Sequence, residues 1–120
     1  MKHQKKGRQF GRVRNQRKAL MRTMLGSLIL NGRIVTTEAK AKELKSVIDR
    51  IITKAKRAHS VGAPQYVIVR KIQKDIPLVA VRALVADMDR FANRTSGYTR
   101  VVKMTPRNSD RAKMALIEFV

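Results

Sequence analysis

From Met1 to Arg33 the chain carries ten Lys and Arg residues and no Asp or Glu, and a run of Leu and Met at helical spacing fills only the second half of that span. No folded core can be built from the first half. Positions 1 to 14 offer little apolar material beyond Phe10 and Val13, and Gly7 and Gly11 break any regular element. Such a stretch buries too little surface to offset the entropy of ordering it in water. It reads as a basic arm that orders on a partner, with one folded domain from 15 to 120.

Beyond Asn15, Leu20, Met24, Leu25 and Leu28 recur at three- and four-residue steps while Arg17, Lys18 and Arg22 fall largely off that stripe. This is the pattern of an amphipathic helix. Asn15 is placed to cap its start, and Asn31-Gly32 to end it through a left-handed residue. Twenty-eight Lys and Arg against eight Asp and Glu give a formal charge of +20. Self-repulsion on that scale calls for a polyanion, nucleic acid before an anionic surface. No apolar run approaches the roughly 20 residues that span a bilayer, and no signal-peptide core opens the chain, so a soluble intracellular protein is expected. Without cysteine, and with only His3 and His59, neither a disulfide framework nor a metal site is indicated.

Farther along, Arg33 to Thr37 is short, β-branched and bounded by Gly, which suits a strand, and Thr37 is placed to cap a long second helix over Glu38 to Ala58. Leu44, Val47, Ile48, Ile51, Ile52 and Ala55 form its apolar face. His59 to Pro64 reads as a loop. Tyr66 to Ile72 is β-branched yet lacks strand alternation, so its pattern fits strand and helix equally. Asp75-Ile76-Pro77 signals a further helix, with Asp75 capping and Pro77 in the first turn, along the stripe Leu78, Val81, Leu84, Val85 and Met88. It fades near Phe91 to Arg94. Tyr98 to Met104 and Lys113 to Val120 are strand candidates around the loop Pro106 to Asp110.

Nine cations without one acid, Lys2, Lys5, Lys6, Arg8, Arg12, Arg14, Arg17, Lys18 and Arg22, suit contact with closely spaced phosphates better than an ordinary solvated tail. Gly7 and Gly11 would let backbone approach a phosphate. On the first closing strand, Tyr98 and Arg100 share a face opposite Lys103, a spacing that could set a stacking ring beside a guanidinium; a half-buried Tyr98 on an ordinary strand fits equally well. Asp87 and Asp89 lie two apart on a helix and cannot act as a carboxylate pair. No phosphate-binding glycine loop or nucleophile signature occurs, so neither an enzyme, a cofactor nor a small-molecule substrate is expected. Glu38, Glu43 and Asp49 are read as balancing nearby lysines.

The blocks Met1-Lys2-His3, Lys5 to Arg12, Arg17 to Arg22, Ile34 to Thr37 leading into Lys40 to Leu44, Gly97 to Lys103, and Asp110 to Val120 resemble, in order, those of the bacterial large-subunit ribosomal protein seventeen family. The resemblance covers nearly the whole chain. It departs at Arg14-Asn15-Gln16, where the family usually has Ser-Ser-His, and at Ser96-Gly97, where it has a Gly pair. It implies an α+β fold of helix, strand, three helices and two strands, the helices packed on a small mixed three-stranded sheet, and makes residues 65 to 74 helical. It also implies a structural role on 23S-type ribosomal RNA beside neighbouring large-subunit ribosomal proteins, near the exit side of the peptide tunnel. The bacterial cytoplasm is favoured because no Ser-rich presequence is seen.

Together these readings give a candidate RNA-binding set of Lys2, His3, Lys5, Lys6, Arg8, Arg12, Arg14, Arg17, Lys18, Arg22, Tyr98, Arg100, Lys103 and Arg107. The mechanism expected is electrostatic, cations replacing the counterions of packed RNA. A DNA-binding nucleoid protein is the alternative that the same charge permits.

Overall fold

The computed structural model describes residues 3 to 120. Helix α1 (Arg14–Asn31) leads through Gly32 into strand β1 (Arg33–Thr37), then come α2 (Glu38–Ser60), α3 (Gln65–Ile72), α4 (Leu78–Ala86), a 3-10 turn (Met88–Phe91), β2 (Thr99–Met104) and β3 (Met114–Phe119). This is the expected α+β order, with residues 65 to 72 helical. Gly32 adopts φ 79° and its N–H bonds to the Leu28 carbonyl, which closes α1 as a left-handed residue can.

The starts of the helices differ from expectation. Val13, not Asn15, precedes the first turn of α1; Thr37 precedes α2 without a side-chain cap bond; and Pro77, rather than Asp75, precedes α4. The side-chain oxygen of Asp75 turns instead to Lys54.

The sheet is antiparallel throughout, with β3 between β1 and β2, and not mixed. The two outer strands run parallel to each other, but β3 separates them, so no parallel ladder forms. Only β3 alternates strictly along its whole length, Ala115, Ile117 and Phe119 pointing inward, as a central strand covered on one face must.

Helix α2 lies on that face and touches all three strands on one side and α3 on the other. Ala41, Leu44, Ile48, Ile51, Ile52, Ala55 and Ala58 are buried along it. Each fully buried Leu or Ile contributes roughly 1.5 to 3 kcal/mol before entropy. Val47, assigned to the same stripe, is only half-buried, and Leu78, the first residue of α4, is exposed. Among the described residues no helix is long and apolar enough to cross a membrane.

Candidate nucleic-acid interface

Helix α1 is anchored by its C-terminal half, where Leu25, Gly26 and Leu28 are buried against the core. Its N-terminal half carries the solvent-facing cations: Arg14, Lys18 and Arg22 are exposed and Arg17 is half-buried. The preceding segment folds back toward α2, where Arg8 Nη1 donates to the Ala39 carbonyl at 2.6 Å. Arg12 Nη1 donates to the Phe10 carbonyl at 2.8 Å and Arg17 Nη1 to the Arg12 carbonyl at 3.2 Å. These partners are backbone oxygens, so the guanidinium charges stay uncompensated.

The result is an open cleft of about 510 Å³ between arm, α1 and α2, which gathers Lys5, Lys6, Arg8, Arg14, Arg17 and Lys18 around one carboxylate, Glu43. Six cations against one acid make it an anion-attracting surface. His3 and Arg12 are exposed nearby in sequence, outside that lining, and Lys2 lies outside the described residues. A Cβ on Gly7 would sit 3.5 Å from Glu43 Oε1, an ordinary contact, whereas Gly11 faces open space.

The four candidates from the C-terminal half are not brought into that cleft. Tyr98 is 2 % exposed, so the ring is not presented for stacking. It precedes β2, and strand alternation does not govern it. Asp49, on α2, accepts hydrogen bonds from the N–H groups of Gly97 (3.4 Å) and Tyr98 (3.2 Å) and so pins the turn to the helix. The Tyr98 hydroxyl donates to the Arg94 carbonyl at 3.0 Å, with Lys56 Nζ 3.2 Å away, and the ring meets Phe91 edge-on at 5.5 Å. Asp49 is thus a structural clamp rather than a counter-charge for lysines.

Arg100, Lys103 and Arg107 are exposed but each has a carboxylate partner. Arg100 Nε lies 2.7 Å from Glu118 Oε1, its directly opposed neighbour on β3. Lys103 Nζ lies 3.8 Å from Glu38 Oε1, which also holds Lys42 at 2.7 Å. The hydrogen bond from Lys42 is the first cause holding the Glu38 carboxyl below its ordinary range. Arg107 grips Asp110 with two bonds, at 3.0 and 2.7 Å. That fork, aided by the Ala112 N–H, lowers the Asp110 pKa to about 2.

A second basic groove, of about 520 Å³, runs between α2 and α3 and is lined by Asp49, Arg50, Thr53, Lys54, Arg57 and Lys71. Its signal was present in the sequence as cations at 50, 54 and 57, one helical face.

Residues 20–120 match the family model described as ribosomal protein L17. The chain belongs to the ribosomal protein L17 family. Among curated relatives, it is 46% identical over 115 residues to the large ribosomal subunit protein bL17 of Shouchella clausii, covering 92% of this chain and 96% of that protein. The bL17 of Rubrobacter xylanophilus is 44% identical and that of Nautilia profundicola 40%, each over the whole of this chain and 96% and 98% of theirs. L17 likeness therefore extends through the arm, although the family model itself begins inside α1.

Proposed function

We propose that this L17-family protein is a structural constituent of the large ribosomal subunit, in the bacterial cytoplasm. In this reading it binds large-subunit ribosomal RNA through the arm and the solvated half of α1, beside neighbouring ribosomal proteins, and performs no chemistry. The observation that carries the reading is the contrast in charge pairing. Six cations converge on the arm cleft around a single carboxylate, whereas Arg100, Lys103 and Arg107 are each matched by an acid. Unmatched cations release the most counterions when they meet packed phosphates.

The left-handed backbone of His3, Gln4 and Phe10, which costs a non-glycine residue roughly 1 to 2 kcal/mol, suits a segment whose final conformation is set by a partner. Division into an arm before α1 and a single domain after it belongs to the same proposal. A position near the exit side of the peptide tunnel rests on the family resemblance.

Filter binding of the intact chain to a large-subunit ribosomal RNA transcript at rising salt tests this. If about eight cations neutralise phosphates, log K falls with log salt at a slope of about −6 to −7. A slope near zero, or equal affinity for a DNA duplex of mixed sequence, would overturn the proposal, the latter in favour of a nucleoid role.

A further inference from the structure

The α2/α3 groove is not an isolated patch. Glu43 and Val47 line the arm cleft, Val47 with Arg50 and Lys54 line a smaller depression beside it, and Arg50, Lys54 and Arg57 line the groove proper. Positions 43, 47, 50, 54 and 57 follow steps of four and three, so they form a single stripe along α2. At 1.5 Å per residue the stripe covers about 21 Å.

Its charges are available. Arg50, Arg57 and Lys71 are exposed, and among the described residues none of them is in an ion pair. The groove's only acid, Asp49, points its oxygens at the Gly97 and Tyr98 N–H groups. Lys54 alone is partly compensated, 3.4 Å from Asp75 Oδ2.

We propose that the α2/α3 groove is a second RNA-phosphate site, collinear with the arm cleft, so that one RNA backbone runs along α2 from the arm to Lys71. This rests on the reading that the partner is ribosomal RNA. The ligand class follows from the geometry: beyond the arm-cleft cations and the Glu43–Val47 step, Arg50, Lys54 and Arg57 repeat over about 10 Å of the same open helix face, which suits a regularly charged polymer, whereas a single small anion would need a closed site.

The test compares Arg50→Gln/Arg57→Gln/Lys71→Gln with a charge-matched control, Arg33→Gln/Lys45→Gln/Arg82→Gln, whose positions lie off the stripe and are exposed. Both are titrated with the large-subunit transcript at several salt concentrations. The groove variant should lose roughly three from the salt slope and bind on the order of a hundredfold more weakly at 0.15 M salt. The control should lose less than tenfold. Asp75→Asn, which frees Lys54, should bind about fivefold more tightly.

Melts of all variants check that each remains folded, and the Asp75→Asn gain cannot arise from unfolding. A groove variant that keeps the intact slope, or matches the control, overturns the second site while the arm reading stands. A flat slope for the intact chain overturns both.

Discussion

At Gly26, in the middle of α1, a Cβ would lie 2.9 Å from the Cγ of Pro77, nearer than side-chain atoms pack. Glycine there lets α1 close on the start of α4, at a helix-propensity cost of about 1 kcal/mol. Gly26→Ala would recover that propensity but push on the proline ring, and overpacking costs roughly 1 to 3 kcal/mol. The clash should win, lowering stability by about 1 kcal/mol in a urea melt. With Pro77→Ala added, the loss should be smaller than the two single losses combined, because the pair is in contact; a stabilised Gly26→Ala would show that the crossing has room. Thr99 presents the opposite case. It is 2 % exposed and, among the described residues, its Oγ1 has no hydrogen-bond partner. A buried unsatisfied hydroxyl costs about 1 to 3 kcal/mol, and valine has the same shape and suits a strand. Thr99→Val should therefore raise stability by about 1 kcal/mol, and a fall would reveal a partner for the hydroxyl.

Helix α2 organises the elements, since it separates the sheet from α3. Leu44 is fully buried in it, whereas the adjacent Lys45 is exposed. Leu44→Ala should cost about 2 to 5 kcal/mol through lost transfer energy and a residual cavity, and Lys45→Ala less than about 0.5; denaturant melts that rank them otherwise would reverse the assigned face. This face was legible in the sequence because a 3.6-residue period repeats over about three turns, from Leu44 to Ala55. The segment around Ile68 and Ile72 was not legible by pattern, because its β-branched propensity suits a strand while its apolar steps suit a helix, and burial of those two residues, one helical turn apart, selects the helix. The start of α4 lies beyond Asp75 for a related reason: a capping side chain can take other partners, and Asp75 pairs with Lys54 across 21 residues. The same holds for the candidate site. The arm's cations could be read directly, since an acid-free run needs no tertiary knowledge. The burial of Tyr98 depends on Asp49, 49 residues earlier, and the neutralisation of Arg100 depends on the register that sets it opposite Glu118. Neither is a local property of the chain.

Across the whole molecule, the described ion pairs engage only Glu38, Asp75, Asp110 and Glu118, so most of the charge of +20 has no internal answer. The folded domain must carry that repulsion until a partner screens it. Charge and core are separated along the chain, because the fully buried residues begin at Leu25 and the arm ends where α1 starts, at Arg14. Deleting residues 1 to 13 removes Lys2, Lys5, Lys6, Arg8 and Arg12 while sparing every side chain that is buried among the described residues. The Arg8 bond to Ala39 is lost, but it is an exposed contact of the kind that contributes little. Cooperative unfolding should persist, and the melting temperature should hold or rise slightly as repulsion falls. Assembly should respond in the opposite direction: with the arm's cations gone, the truncated chain should be displaced by the intact one when both compete for incorporation into large-subunit particles. The two measurements are a thermal melt and the occupancy of purified particles after that competition. A truncated chain that melts cooperatively and still fills the particles at parity with the intact one would reduce the arm to a solvated tail.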